Sequence, residues 1–370
     1  MSVRKIPVTR WLYRLHVWLG LVGGAGLLLV ALSGAVIAFS QEIERATCEA
    51  VRRVSVPPQA RRLPYDVLLA NARHAVPDFG RYDYLRFPTA PDEAVEILYF
   101  PDDSYHSAFL DPYTGRLTGV LAYTLTRTLT RWHWSFFLGD AGAVLCLLLA
   151  GALVGSGLTG LAVYRKHLWP ALTLRVPVRG PSGRRTVSGL HRVVGTWAAL
   201  FTLLLGSTGA WINYNIVTGV YAYPEGAALR RPPQAPLAVS VDALLAETQR
   251  QLPGLVPGSF SFPQLVGGPV GISGTFATDG VLWRVGSGAE FDEHTGRLLT
   301  VRDGRRATAS QKALSAFENL HYGQFGGWPV KLLYCLGGLA VAGLPLTGGL
   351  LWWGKRRTKS RAAGTLAAAS

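Results

Sequence analysis

Residues 14–39 read RLHVWLGLVGGAGLLLVALSGAVIAF, and no charged residue follows Arg14 in this stretch. A helix of about 20 residues, rising 1.5 Å per residue, crosses the roughly 30 Å hydrocarbon core of a bilayer. Three further apolar stretches have comparable length, so we predict a membrane α-helical fold with four transmembrane helices. These predicted spans lie at about residues 17–39, 141–164, 193–212 and 332–353.

The positive charge of the sequence is concentrated beside these spans. Lys and Arg together exceed Asp and Glu by 15. The whole excess lies in residues 1–14, 165–190 and 355–361, which contain no acidic residue. Basic residues flank transmembrane helices on the cytoplasmic side. We therefore predict a multi-pass bacterial inner-membrane protein, surrounded by the lipid bilayer, with both termini and the central loop in the cytoplasm. No nucleic-acid partner is expected, because a nucleic-acid surface would not be divided among the flanks of spans.

The two long segments between the spans are then periplasmic. In each, a short amphipathic helix, at 65–76 or 240–252, is followed by strand-like runs such as 96–100 and 281–285. We predict one α+β domain from each segment. The complete division is N-terminus and first span 1–39, periplasmic domain 40–132, second span 133–164, basic cytoplasmic loop 165–190, third span 191–212, periplasmic domain 213–320, fourth span 321–354 and cytoplasmic tail 355–370.

The two halves of the sequence repeat each other. The offset between matched residues drifts from 175 to 188 along the chain, as a duplication followed by a few insertions would leave. Each half therefore supplies one helix–periplasmic domain–helix unit. The matches are His16 and Gly20 with His191 and Gly195, Ser33-Gly34 with Thr208-Gly209, Phe87-Pro88 with Phe262-Pro263, Asp111–Arg116 with Asp292–Arg297, His133 with His321, and Leu158-Thr-Gly160 with Leu346-Thr-Gly348.

Four of the eight histidines obey this repeat, and they are the candidate site residues. By the predicted topology, His16 and His191 lie at the cytoplasmic ends of the first and third spans, while His133 and His321 lie at the periplasmic ends of the other two. Neutral imidazoles from two facing helices can supply both axial ligands of a haem iron. We predict one haem-binding pair on each side of the membrane. The alternative is that these histidines only bond lipid or water at the interface.

The residues around the histidines suit a flat, apolar ligand. Gly20 and Gly195 lie one helical turn from His16 and His191, where they leave room for a porphyrin. His167, in the central loop, is an alternative ligand on the inner side. No dinucleotide loop, phosphate loop or zinc motif is present in the sequence. Aromatic residues surround the outer pair in the sequence: Trp132, Trp134, Phe136, Phe137, Tyr322, Phe325 and Trp328.

Several of these motifs resemble the PepSY-associated transmembrane family. They are the run Arg14-Leu-His-Val-Trp-Leu-Gly20, Leu32-Ser-Gly34, the Asp-x-x-Thr-Gly turns, the outer histidines and the terminal Leu-Thr-Gly followed by basic residues. The resemblance covers roughly residues 10–357. It implies two tandem PepSY-like periplasmic domains and haem b. The family includes iron-regulated inner-membrane proteins and ferric-siderophore reductases such as a ferrioxamine reductase.

The resulting hypothesis is a haem b-containing inner-membrane electron-transfer protein that reduces a ferric siderophore or another ferric chelate in the periplasm for iron uptake. It predicts two haems and an electron donor in the cytoplasm or membrane, because the sequence contains no flavin or nicotinamide motif. Two alternatives are a non-enzymatic PepSY protein that binds or regulates a periplasmic partner, and a component of haem or siderophore transport.

Overall fold

A computed structural model describes residues 8–59, 61–76, 82–101, 105–122, 124–180, 182–219, 237–263 and 267–367. The chain forms two compact units. One, the membrane unit, consists of residues 1–39, 129–220 and 320–370, and the other, the sheet unit, consists of residues 40–128 and 221–319. Parts of the predicted division, including residues 220–236, fall outside the described residues.

The membrane unit contains the apolar helices. Two of its helices are long and apolar enough to cross a membrane, and two bent helix pairs bring the number to four if each pair is one span. This range includes the predicted four spans. The helices are α1 (Val8–Val22), α2 (Gly24–Ile37), α7 (Gly139–Tyr164), α8 (Leu168–Leu172), α9 (Gly183–Trp197), α10 (Ala199–Val217) and α13 (Gly327–Ala367), and the helix α6 (Leu125–Ser135) carries His133.

The first and third predicted spans each correspond to a bent pair of helices, which the apolar pattern did not predict. The angle between α1 and α2 is 65°, and the angle between α9 and α10 is 60°. The two parts of each span pack against different partners: α1 packs mainly on α7 and α2 on α13, whereas α9 packs on α13 and α10 on α7. Gly23 provides the first break, where a Cβ atom would lie only 3.1 Å from the Leu19 carbonyl oxygen. The breaks let each span contact both neighbouring spans.

The sheet unit contains one eight-stranded antiparallel sheet with the strand order β4-β3-β2-β1-β5-β6-β7-β8. Its strands are β1 (Tyr82–Arg86), β2 (Val95–Tyr99), β3 (His106–Leu110), β4 (Leu117–Leu121), β5 (Val256–Ser261), β6 (Val270–Thr275), β7 (Ser287–Phe291) and β8 (Leu298–Arg302). Its helices are α3 (Ser40–Thr47), α4 (Glu49–Arg52), α5 (Tyr65–Ala75), α11 (Val241–Gln251) and most of α12 (Ala309–Tyr322). The last three residues of α12, which include His321, belong to the membrane unit.

The prediction of two separate α+β domains was wrong, because the two segments share this sheet. Strand β1 of the first segment pairs with β5 of the second, with Leu85 opposite Phe260. Pairing these two strands removes two sheet edges that separate domains would expose. Leu68 of α5 and Leu244 of α11 belong to one continuous buried core. The two segments therefore fold as two halves of one unit.

Repeat-matched aspartates also join the two halves. The carboxylate of Asp242 accepts hydrogen bonds from the backbone N–H groups of Tyr65 (3.0 Å) and Asp66 (2.9 Å) at the start of α5. The carboxylate of Asp66 accepts the Val241 N–H at 2.8 Å and the Ser240 hydroxyl at the start of α11. Each helix N-terminus is thus capped from the other half, which satisfies N–H groups that the helix itself leaves unpaired.

Local predictions had mixed outcomes. Helices α5 and α11 lie where amphipathic helices were predicted, and the strand predicted at 96–100 is β2, one residue earlier. The strand predicted at 281–285 was wrong. Trp283 in this run is 54% exposed, and the backbone carbonyls of Leu282 and Arg284 accept hydrogen bonds from Asn319 and Ser315 of α12. Side chains of a helix, rather than a neighbouring strand, satisfy this backbone.

Span boundaries also differ from the predicted ones. The second span was predicted to begin at His133, but His133 lies on α6, and the long apolar helix α7 begins only at Gly139. The helix of the fourth span continues through most of the predicted tail, because α13 extends to Ala367. Helix α9 begins at Gly183, inside the predicted central loop. Apolar composition marks the centre of a span and not the ends of its helix.

Candidate functional site

The membrane unit brings His16 of α1 and His191 of α9 together. Their ring centroids lie 6.2 Å apart, with an angle of 74° between the ring planes. The two residues are 175 positions apart in the sequence and were paired only by the repeat. We call them the inner pair.

The second repeat-matched pair has the same separation. The ring centroids of His133 on α6 and His321 on α12 lie 6.1 Å apart, with an angle of 53° between the planes. We call these residues the outer pair. The structure thus joins the four candidate histidines in the two predicted combinations, whereas ligation of a metal by them stays a prediction.

The separation of the rings matches the geometry of one metal ion between two imidazoles. With metal–nitrogen bonds of about 2.0 Å and nitrogens about 1.1 Å from each ring centroid, imidazoles on opposite sides of one ion have centroids about 6 Å apart. Among the residues that the structure describes, no three His, Cys, Asp or Glu side chains form a metal-binding group. Each pair therefore offers two ligands, which suits axial ligation better than a tetrahedral site built from protein side chains alone.

Hydrogen bonds fix the protonation of the inner pair. Nδ1 of His16 lies 3.0 Å from the backbone carbonyl oxygen of Ser156. A carbonyl oxygen only accepts, so Nδ1 of His16 carries the proton. Nδ1 of His191 lies 2.8 Å from Oγ1 of Thr347, whose own hydroxyl proton is donated to the Gly343 carbonyl at 2.9 Å. Thr347 therefore accepts from His191, and both Nε2 atoms keep a free lone pair for a metal.

The outer pair has the same tautomer. Nδ1 of His133 lies 2.9 Å from the carbonyl oxygen of Val30, which can only accept a hydrogen bond. Nδ1 of His321 lies 2.9 Å from Oγ1 of Thr208, and this hydroxyl donates to the Leu204 carbonyl at 2.7 Å. In all four histidines, Nδ1 is a donor within the protein and Nε2 is the atom available for ligation.

A glycine of a neighbouring helix lies against each of the four rings. A Cβ atom added to any of these glycines would approach Cε1 of the adjacent histidine, so the absence of a side chain sets how closely ring and helix pack. The distances from that Cβ position to Cε1 are 2.8 Å for Gly34 and His133, 3.1 Å for Gly209 and His321, 3.1 Å for Gly160 and His16, and 3.5 Å for Gly348 and His191.

A cavity of about 760 Å³ opens beside the inner pair. His16 and His191 both line it, and so do Gly20 and Gly195, the two glycines predicted to leave room for a flat ligand. Sites for cofactor-sized molecules have volumes of about 300–1,000 Å³ and mostly apolar walls. Most of the wall comes from α1, α7, α9, α10 and α13, with single residues from α2 (Leu27) and α8 (Leu168).

Comparison with protein-family models identifies the family of this chain. The family model described as PepSY-associated TM region matches residues 13–355, nearly the whole chain. The chain belongs to this family. It is also 29% identical, over 251 residues, to an uncharacterized protein of Pseudomonas aeruginosa. The match covers 60% of this chain and 62% of that protein, so the matched region spans less than two thirds of the relative's length.

The other four histidines belong to neither pair. The ring of His167, the alternative inner ligand, contacts the ring of Tyr164 at 5.5 Å between centroids. His106 contacts the Tyr99 ring at 5.6 Å. His74 and His294 lie on the surface of the sheet unit. The inner pair in the structure is therefore His16 with His191.

Some of the aromatic residues predicted around the outer pair have contacts that the structure describes. The His321 ring contacts the Tyr322 ring at 6.1 Å. Trp132 packs instead against Phe136 and Phe137, at 5.1 and 5.6 Å between centroids. Trp328 is 64% exposed. Trp132, Phe136 and Phe137 therefore form a small aromatic cluster next to His133 in the sequence.

Sequence reasoning missed the hydroxyl groups that hold the imidazoles. Thr347 and Thr208 contact Nδ1 atoms directly, Ser33 lies 3.0 Å from Nδ1 of His133, and Thr159 lies 3.4 Å from Nδ1 of His16. The signal was present in the repeat, since Ser33 matches Thr208 and Thr159 matches Thr347. At each of the four rings, a Ser or Thr whose hydroxyl contacts the imidazole is followed in the sequence by the glycine that lies against the same ring.

Proposed function

We propose that the chain is a haem b-binding membrane protein that passes electrons to a ferric siderophore or another ferric chelate. His16 and His191 would hold one haem, and His133 and His321 a second, each through Nε2. The observation that carries the proposal is the pair of ring separations, 6.2 and 6.1 Å, in two places related by the repeat. At these separations, each pair would hold the iron of one haem between its two imidazoles.

The protein's own groups prepare these ligands. Haem, when bound, supplies one-electron chemistry by cycling its iron between Fe(III) and Fe(II). The Nδ1–H bonds of His191 to Thr347 and of His321 to Thr208 fix the ring orientation and direct the lone pair of Nε2 away from the supporting helix. Hydrogen bonding at Nδ1 also makes each imidazole a stronger donor to the metal. The four ring-facing glycines let the imidazoles sit close to the helix backbones.

The direction of electron transfer rests on the charge distribution. The basic segments support a cytoplasmic location for the inner pair and a periplasmic location for the outer pair. A donor in the cytoplasm or membrane would then supply electrons at the inner pair, and a ferric chelate would accept them near the outer pair. Hard oxygen donors of siderophores bind Fe(III) better than Fe(II), so reduction weakens the chelate.

The reductase assignment is tested by anaerobic reoxidation. Full-length protein reduced with dithionite and freed of excess reductant is mixed with a ferric siderophore in a stopped-flow spectrometer. We expect the reduced haem absorbance to decay without loss of haem, and an Fe(II) chelator to trap the released iron. Replacing His133 or His321 by Ala is expected to remove this phase while the inner haem still reduces with dithionite.

His106→Ala serves as the matched control, because His106 belongs to neither pair and its ring contacts Tyr99. It is expected to leave reoxidation unchanged. A reduced, haem-containing protein that no ferric siderophore reoxidises would contradict the reductase assignment. A purified protein that binds no haem would favour the alternative of a periplasmic binding protein.

A further inference from the structure

The wall of the cavity beside the inner pair contains several basic residues. Five of its lining residues are basic: Arg14, Arg184, Arg192, Lys355 and Arg356. Among the described residues that line it, none is Asp or Glu. The rest of the wall is mainly apolar. An apolar pocket with a cationic end suits a molecule that has a hydrophobic body and carboxylate groups on one edge.

Helices α9 and α13 run antiparallel beside this cavity. A Cβ on Gly348 would lie 3.5 Å from the His191 ring, and a Cβ on Gly195 would lie 3.5 Å from Leu344. Moving forward along α9 therefore corresponds to moving backward along α13. Residues that precede His191 on α9 face residues that follow Gly348 on α13.

Arg184 and Arg356 are thus brought to the same level of the cavity. Arg184 precedes His191 by seven residues, which is about 10 Å along the helix axis, and Arg356 follows Gly348 by eight residues, or about 12 Å. Because the helices are antiparallel, Arg184 and Arg356 are both displaced toward the same end of the cavity. Arg184 and Arg356 therefore belong to neighbouring helices, about two turns from the level of the His191 imidazole.

The wall between the imidazole and Arg356 is aromatic. Trp352 lines the cavity one turn before Arg356, and the Arg356 guanidinium carbon lies 4.2 Å from the centroid of its ring. This cation–π contact holds the charge against the cavity wall. Arg357, the next residue, stacks on Trp353 instead, at 4.3 Å, and does not line the cavity.

We propose that Arg184 and Arg356 bind the two carboxylate groups of the porphyrin at the inner site and thereby fix its orientation in the cavity. This inference rests on the proposed function, because it takes the ligand between His16 and His191 to be haem. Arginine forms paired, charge-assisted hydrogen bonds to carboxylates. The porphyrin carboxylates lie together on one edge of the macrocycle, so a single cationic end of the cavity can receive both.

Basic residues beside membrane spans also set topology, and the chain offers a control for that role. Arg185 and Arg357 are the sequence neighbours of Arg184 and Arg356, have the same charge, and do not line the cavity. If the arginines act only through topology, all four positions are equivalent. If Arg184 and Arg356 bind carboxylates, only the cavity-lining pair affects the ligand.

The test compares haem with its dimethyl ester, in which both carboxylates are blocked. Full-length apoprotein, produced in cells deficient in haem synthesis, is titrated with each ligand, and binding is followed by absorbance. To isolate the inner site, all proteins carry the outer-pair substitution His321→Ala. We expect this parent protein to bind haem at least about tenfold more tightly than the ester.

The Arg184→Gln/Arg356→Gln variant is expected to lose most of this preference, because its haem affinity falls toward that of the ester. Arg185→Gln/Arg357→Gln is expected to retain it. Equal affinity of the parent protein for haem and ester would overturn the inference while leaving the proposed haem site in place. A preference that survives in the cavity variant would also overturn it. Failure of the parent to bind either ligand would contradict the proposed function itself.

Discussion

Nδ1 of His191 lies 2.8 Å from Oγ1 of Thr347, and this contact recurs between His321 and Thr208 at 2.9 Å. In each case the hydroxyl donates its proton to a carbonyl of its own helix and so can only accept from the imidazole. The same contact thus supports one histidine of the inner pair and one histidine of the outer pair. Its consequence is a fixed tautomer, in which Nε2 is ready to bind a metal.

Removing this acceptor should weaken the inner site. We expect Thr347→Val, which keeps the shape of the side chain, to reduce haem affinity about 10–100-fold, as loss of a partner behind a metal-bound imidazole usually does. The measurement is an absorbance titration of the apoprotein with haem. Thr218→Val is the control, because the Thr218 hydroxyl bonds its own helix at the Tyr214 carbonyl and contacts no histidine. Unchanged affinity in Thr347→Val would show that the hydroxyl does not support the ligand.

Gly34, the glycine that lies closest to a histidine ring, should tolerate no side chain. A Cβ at Gly34 would lie 2.8 Å from Cε1 of His133, which is closer than van der Waals contact allows, so the ring must move. We expect Gly34→Ala to lower the haem content of the outer site, measured as haem per polypeptide. Gly151→Ala, on α7, introduces a methyl group with nothing within 4 Å and should retain full haem content. Equal haem content in both variants would contradict the close packing at His133.

A buried carboxylate supports the sheet unit on the side opposite its hydrophobic core. Glu96 is only 2% exposed. Its Oε1 accepts hydrogen bonds from Ser107 at 2.6 Å and Arg127 at 2.8 Å, while Arg86 and Arg52 approach Oε2 at 3.5 and 3.8 Å. Burial by itself raises the pKa of Glu96, but these arginines and the serine hydroxyl bring the pKa below its ordinary value.

The sign of this shift gives a pH dependence. A carboxyl group with a lowered folded-state pKa stabilises the fold at pH values above its unfolded pKa, about 4.3, and loses that contribution as the pH falls through the folded value. We expect the thermal midpoint of the wild type to decrease as the pH is lowered below about 5, partly because Glu96 becomes protonated. Glu96→Gln should destabilise the protein by about 3–5 kcal/mol at pH 7, since Arg127 and Arg86 lose their partner carboxylate, whereas Arg52 keeps Glu44.

The control for Glu96 is an exposed ion pair of the same unit. Glu49 lies 3.6 Å from Arg53, and both side chains are more than half exposed. Exposed pairs contribute about 0–1 kcal/mol, so Glu49→Gln should leave the thermal midpoint nearly unchanged. Intrinsic fluorescence of full-length protein in detergent provides the measurement. If Glu96→Gln unfolds at the wild-type temperature at pH 7, the buried network does not stabilise the unit.

The predicted topology has a direct test in reporter fusions. The basic segments predict a cytoplasmic signal from fusions after residue 180 and at the C-terminus, and a periplasmic signal from fusions near residues 100 and 270. Alkaline phosphatase and green fluorescent protein respond in opposite ways to the two compartments. A periplasmic signal after residue 180 would reverse the sides assigned to the inner and outer pairs.

The repeat carried most of what could be predicted about the site. Histidines 175 or 188 positions away from their matches have no local reason to be important, but a duplication places matched residues in equivalent surroundings. His16 therefore predicted His191, and His133 predicted His321. The supporting hydroxyls were visible as matches, but their role was not, because it depends on which face of each helix meets the imidazole.

Two features of the fold could not be predicted from local patterns. The breaks at Gly23 and Ala198 interrupt stretches that remain apolar throughout, so hydropathy alone reads each as one continuous helix. The pairing of β1 with β5 joins residues about 175 positions apart, as with Leu85 and Phe260. Strand periodicity shows which residues face a core, but it does not select the partner strand.

The haem content of the histidine variants tests the central claim most directly. Purified full-length protein is titrated with dithionite, and the haem-to-polypeptide ratio is measured from the reduced-minus-oxidised absorbance spectrum. We predict two b-type haems in the wild type, one each in His191→Ala and His321→Ala, and none in the double variant. A colourless wild type, or a double variant that keeps both haems, would contradict the assignment of the two histidine pairs.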